Sequence, residues 1–185
     1  WQVDEGYENF EQVISSDIEY DVVSICSPTN HHEVDILSSI ELNPKLIFCE
    51  KPISPSLSSS ESLAMACEKA GIPLVVNYSR RWDTRCQELC IALKDTKYGE
   101  LRSIVGTYNK GVLNNGSHLI DLFGLLLGEL TITSIGQATN DYLEEDPSIS
   151  AVLETNDGVP INLVTGNAKD YSLFEIQFIF EKAMV

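Results

Sequence analysis

Bases are scarce in this chain. Its 185 residues carry 12 Lys and Arg against 28 Asp and Glu, a net charge of -16. A nucleic acid or an anionic membrane surface needs a basic face, so both are excluded as partners. No two of the 11 glycines are spaced as GxG, and no two of the five cysteines as CxxC. Most of the cysteines (Cys26, Cys49, Cys67, Cys86, Cys90) fall inside apolar runs, which reads as buried thiols in a reducing compartment rather than a disulfide framework or metal knuckle. Long apolar runs are also missing. The longest, Leu119 to Leu127, contains Asp121 and is too short to span a bilayer. No signal peptide is visible, and a cytoplasmic location is expected. With 43% hydrophobic residues, the chain has enough apolar material for one good domain or two small ones.

The first half alternates strands with helices. A short helix is expected over Asn9 to Ser15 and a buried strand over Asp21 to Cys26. Ser27-Pro28-Thr29-Asn30 then forms a turn and helix cap. The spacing predicts a helix over His31 to Ile40, with Val34, Leu37 and Ile40 as its core stripe. Asn43-Pro44 breaks it, and Leu46 to Cys49 is the next strand. Ser58 and Glu61 read as a capping box for a helix through Ala64, Cys67 and Ala70, with Gly71 as its stop. Pro73 to Asn77 closes a strand-helix-strand-helix-strand order, which implies a parallel sheet with right-handed crossovers.

Glu50-Lys51-Pro52 ends the middle strand. Pro52 has no amide hydrogen to donate and stops the ladder. Ligands of open parallel sheets bind at the carboxyl ends of the strands. An ammonium group there can pin a hydroxyl or a carboxylate. His31-His32-Glu33 does not meet the HExxH metal spacing, because position 36 is Ile, and no metal site is expected.

The second half changes character at Ser79 to Asp83, the expected boundary. Arg80, Arg81 and Trp82 leave the strand end together, a set suited to an anion and a flat ring. Asp83 caps a helix with Cys86, Leu89, Cys90 and Leu93 on its buried stripe, and Leu101 to Tyr108 is a strand. Asn114 to Gly116 make a turn, and Ser117 to Leu127 read as a helix with His118 in its first turn and Asp121 one turn on. A histidine beside a helix N-terminus tends to stay neutral and able to accept a proton. Strands follow over Leu130 to Ala138, Ile149 to Thr155, Val159 to Gly166 and Phe174 to Glu181, with Asn156-Asp157-Gly158 as a hairpin turn. Four strands in succession imply an antiparallel or mixed sheet.

Five blocks carry a family resemblance: Asp21 to His32 (DVVSICSPTNHH), Cys49 to Pro52 (CEKP), Asn77 to Trp82 (NYSRRW), Tyr98 to Leu101 (YGEL) and Gly116 to Asp121 (GSHLID). In that order the chain resembles the glucose-fructose oxidoreductase / inositol dehydrogenase / MocA-like NAD(P)-dependent oxidoreductases. The resemblance implies an α/β chain: residues 1–79 a partial Rossmann-type dinucleotide-binding domain, and residues 80–185 an α+β substrate-binding and dimerisation domain with a mostly antiparallel open sheet. Ser27, Pro28, Thr29, His32, Glu50, Lys51, Arg81 and Trp82 would border NAD or NADP. Lys51, Asn114, His118 and Asp121 would meet the substrate, a sugar, sugar nucleotide or cyclic polyol. Lys51 would hold its hydroxyl and His118 would take the proton. The second-domain sheet would pair subunits into a homodimer or homotetramer.

The chain departs from the pattern in three ways. The GxGxxG loop and its βαβ unit are absent, and the chain opens at Trp1 with no start signal. The segment that usually follows the sheet is absent too, so a piece truncated at both ends is expected. Asn114 stands where many members carry Asp, which places the base role on His118. A non-catalytic scaffold member and an NAD-dependent glycosidase are the alternatives.

Overall fold

A computed structural model describes residues 5–16 and 18–185. Trp1, where the chain opens, lies outside the described residues. The chain divides into two compact units, Trp1–Asn77 and Tyr78–Val185.

The first unit holds α1 (Phe10–Ile14), β1 (Val22–Ile25), α2 (His32–Glu41), β2 (Leu46–Glu50), α3 (Leu57–Ala70) and β3 (Leu74–Asn77). The three strands form one parallel sheet in the order β1-β2-β3, with β2 in the centre. Ile25, Ile36, Ile47, Cys49, Leu63, Cys67 and Ile72 are its buried core. Gly71 ends α3 in the left-handed conformation, φ 73°, as its lack of a Cβ allows.

Two local expectations are corrected. The core face of α2 is His32, Ile36 and Ser39, with Ile40 packed against the same core as expected, and it excludes Val34 and Leu37: Val34 is 64% exposed and Ile36 fully buried. Residues four apart share a helix face, and small Ser39 lets the backbone approach its neighbours. The cap of α3 is Ser56, whose hydroxyl accepts from the Ser59 amide, so the helix starts before the Ser58–Glu61 box. Its buried positions are therefore Leu63 and Cys67, and Ala64 and Ala70 face outward.

The second unit holds α4 (Thr84–Lys94), β4 (Leu101–Tyr108), α5 (Ser117–Leu127), β5 (Leu130–Leu143), β6 (Asp146–Thr155), β7 (Pro160–Thr165) and β8 (Phe174–Phe180). Its sheet runs β5-β6-β7-β4-β8 and is mixed: β4 and β7 are parallel, and the other pairs antiparallel. β5 and β6 extend beyond the expected strands and meet in a tight turn at Glu144 and Glu145. Of the α4 stripe only Leu89 and Leu93 pack against the main core, and Ala92 is the helix's buried residue. α5 lies on the sheet where Gly106 leaves room. A Cβ there would meet Leu119 Cδ1 and Phe123 Cζ, both at 3.3 Å. Ile104, Tyr108, Leu119, Phe123, Leu163 and Phe178 form the core between them. No helix among the described residues is long and apolar enough to cross a membrane.

Candidate active site

In the first unit the expected residues gather at the carboxyl end of the parallel sheet. β1 runs out into Ser27, Pro28 and Thr29, and β2 ends at Glu50. Glu50 Oε1 accepts from Asn77 Nδ2 at 2.6 Å, which ties the ends of β2 and β3 together. Lys51 follows directly, and the Lys51–Pro52 peptide is cis. His32 joins the two loops. Its Nδ1 lies 2.8 Å from the Pro52 carbonyl oxygen and its Nε2 2.8 Å from that of Ser27. A carbonyl oxygen only accepts, so whichever ring nitrogen carries hydrogen donates to the carbonyl beside it. The ring is 1% exposed and is spent on protein carbonyls, so its contribution to a bound molecule runs through the loops it holds. Ser27 Oγ donates to Asp35 Oδ2. Burial, then the charge of Glu50, pushes the Cys49 thiol up to about 12, which makes it a core thiol and no nucleophile.

In the second unit, Tyr78 to Asp83 leave β3 as a single tight helical turn. Arg81 grips Asp121 with a planar fork: Nε lies 3.0 and 2.9 Å from the two carboxylate oxygens, and Nη2 lies 2.7 Å from Oδ1. That bidentate pair pins the turn to α5 and spends the Asp121 carboxylate on protein. Trp82 stands out from the surface, 71% exposed. Asp83 caps α4, accepting from the Arg85 and Cys86 amides.

His118 sits in the first turn of α5 and is largely buried. Tyr78 meets its ring edge-on with centroids 5.8 Å apart, and Phe174 meets it likewise at 6.4 Å. The Arg80 guanidinium covers the Phe174 ring at 3.9 Å. Burial pushes the Tyr78 phenol up, with the Ser117 hydroxyl working against it. The imidazole thus lies between two aromatic rings at a helix N-terminus.

The turn before α5 is π-helical, Val112–Gly116. Asn114 Nδ2 donates to the Lys110 carbonyl at 3.1 Å. The residues that hold this turn were not among those the sequence singled out. Asp146 accepts from the Leu113 and Asn114 amides, both at 2.8 Å. Asp141 accepts from the Lys110 amide at 3.0 Å, the Ala168 amide at 3.1 Å and the Ser148 hydroxyl at 2.9 Å. Burial raises the Asp141 carboxyl, but those three donors outweigh it and hold the group below its ordinary value. In an acidic stretch such as Asp141 to Asp146, the signal for an inward carboxylate is only the period-2 alternation that Asp146 shares with buried Ser148.

Residues 1–78 match the family model described as an oxidoreductase family with an NAD-binding Rossmann fold. Inositol 2-dehydrogenase of Rhizobium meliloti (strain 1021) is 28% identical over 166 residues, 78% of this chain and 50% of that protein. Inositol 2-dehydrogenase of Arthrobacter sp. (strain FB24) is 30% identical over 182 residues, 88% of this chain and 53% of that protein. The chain spans about half the length of these curated relatives. Among solved structures, the WlbA dehydrogenase from Bordetella pertussis, in complex with NADH and UDP-GlcNAcA, shares the fold. Its TM-score is 0.83 at 18% identity, covering 97% of this chain and 58% of that one.

Proposed function

Given that the chain belongs to the glucose-fructose oxidoreductase / inositol dehydrogenase / MocA-like oxidoreductase family, we propose that the whole protein is an NAD(P)-dependent dehydrogenase of a sugar, sugar nucleotide or cyclic polyol. The observation that carries this reading is the placement of Glu50, Lys51 and Pro52 at the carboxyl end of the central parallel strand, in a loop that His32 fastens to Ser27. Two strand-end loops locked side by side make a rigid rim at the sheet end where dinucleotides bind. We assign residues 1–79 to the dinucleotide side and 80–185 to the substrate side.

Ser27, Pro28, Thr29 and Glu50 would border the cofactor, with Arg81 and Trp82 toward its nicotinamide end. The cofactor supplies a hydride acceptor when bound. Lys51 would orient the substrate hydroxyl and stabilise negative charge developing on its oxygen. His118 would accept the hydroxyl proton, with Tyr78 and Phe174 packed edge-on against its ring. Asn114 would orient a neighbouring hydroxyl without taking its proton, and the Arg81–Asp121 fork would keep the first turn of α5 in place. Inositol and UDP-sugar dehydrogenases among the relatives and neighbours support a polyhydroxylated substrate. All five cysteines are free, which favours a reducing, cytoplasmic setting. Subunit pairing into a dimer or tetramer would use the second-unit sheet, where edge strand β5 exposes Ile132 and Ile135.

The test is a screen of polyols and sugars for NAD+ or NADP+ reduction by the full gene product. Turnover lost in His118→Ala, with cofactor affinity within about threefold of wild type, supports the reading, because the proton acceptor lies outside the dinucleotide side. Full turnover in that variant removes His118 from the mechanism.

A further inference from the structure

We propose that Asp146 and Asp141 are positioning residues: two buried carboxylates on the β5–β6 hairpin that fix the Lys110–Gly116 turn and, through it, the His118 imidazole. Four amides within five consecutive residues are captured by this hairpin. Asp141 takes Lys110, Ser148 Oγ takes Gly111 at 2.9 Å, and Asp146 takes Leu113 and Asn114. Ser148 Oγ is also the donor to Asp141 Oδ1, so that hydroxyl and the Asp141 carboxylate act together, while Asp146 holds the following amides of the same turn. Asp141, Asp146 and Ser148 are 4%, 7% and 0% exposed. The N–H groups at the start of a helix carry partial positive charge, so buried carboxylates are suited to hold them.

The backbone they hold is not one it would adopt unaided. Lys110 has φ 67° and Gly111 φ 91°, two left-handed residues in succession. A Cβ on Gly111 would lie 2.1 Å from Asp146 Oδ2, so the carboxylate touches the bare backbone. A strained turn fastened by buried anions, one residue ahead of the helix that carries His118, fits a device that sets one ring. The end of the turn is tied as well: Asn115 Nδ2 donates to the Asn109 carbonyl at 3.0 Å. That the ring so set is the reaction's base rests on the function proposed above.

The test is NMR on the chain itself, wild type against Asp146→Asn, Asp146→Ala and Ser148→Ala, reading amide exchange and the His118 ring resonances. Exchange at Leu113 and Asn114 should rise about tenfold in Asp146→Asn, which keeps one acceptor, and further in Asp146→Ala, while Ile104 and Leu163 stay protected. The His118 carbon-bound ring protons should shift in the same order, because the Tyr78 and Phe174 ring currents report their position. If Asp146→Ala does not fold, Ser148→Ala decides, with faster exchange at Gly111 and a smaller His118 shift expected. Folded variants in which His118 does not move overturn the proposal, because the clamp would then hold only the turn. In the full gene product kcat should fall about tenfold in Asp146→Asn with KM within about twofold. Wild-type protein that turns over nothing defeats the dehydrogenase reading and leaves the NMR result to decide the positioning role alone.

Discussion

The two units solve one problem with opposite polarity. Each must hold an irregular turn that carries a candidate functional side chain, Lys51 in the first and His118 just beyond it in the second. The first turn presents carbonyls, from Ser27 and Pro52, and a donor, His32, gathers them. The second presents amides, from Lys110 to Asn114, and acceptors, Asp141, Asp146 and Ser148, gather those. The chemistry of the clamp follows from which backbone groups the turn leaves over. A turn after a strand leaves carbonyls, and a turn before a helix leaves N–H groups. The acceptor clamp includes Asp141, whose carboxyl is held below its ordinary value, so the clamp is exposed to acid.

The largest effect is expected at Gly111→Ala. It combines a left-handed φ with a Cβ inside contact distance of Asp146, and should cost about 4 kcal/mol in urea unfolding, with the second unit lost first. A cost below about 1 kcal/mol would mean the turn relaxes freely and the clamp is slack. His32→Ala comes next. It removes the buried ring that joins the Ser27 and Pro52 carbonyls and should cost about 3 kcal/mol, seen as a fall in the melting temperature of the first unit. A neutral outcome would break the parallel between the two clamps.

Acid sharpens the contrast. The Asp141 carboxyl is held below its ordinary value in the folded state, so its contribution is complete above the ordinary carboxylate range. It is lost as pH falls through that range toward the depressed folded value. Stability of the second unit should therefore fall below about pH 4, and Asp141→Asn should flatten that part of the slope. An unchanged slope in the variant would put the acid sensitivity elsewhere. A pairwise control within α2 contains the smallest effect, at Val34. Ile36→Ala should cost about 3 kcal/mol and Val34→Ala under about 0.5 kcal/mol, as their burial requires. Equal costs would restore the stripe that periodicity suggested.

Much of the fold was legible in the chain. Apolar runs ending at Cys26, Cys49 and Asn77 marked three parallel strands, Asp83 and Gly71 marked a helix start and a helix stop, and α5 was bounded correctly at Ser117 and Leu127. Local chemistry fixes such features. The α2 face was not legible, because Val34 and Leu37 are as apolar as a core stripe, and only the seating of Ile36 and Ser39 shows which side packs. Ser56 was passed over because several serines in a row offer equivalent caps, and the choice depends on where the chain turns after Pro55. The residues proposed for chemistry stood out because their types are unusual at strand and helix ends. The carboxylates that hold them did not. Asp141 and Asp146 lie 27 to 33 residues from the amides they bind, in a stretch whose acidity reads as solvated surface.

The dehydrogenase reading meets its sharpest test at Lys51. In the full gene product, Lys51→Ala should reduce turnover at least about a hundredfold with the fold and cofactor affinity retained, since it removes the charge proposed to stabilise the reacting oxygen. Turnover in Lys51→Ala equal to that of wild type, on the same substrate and cofactor, would contradict the account.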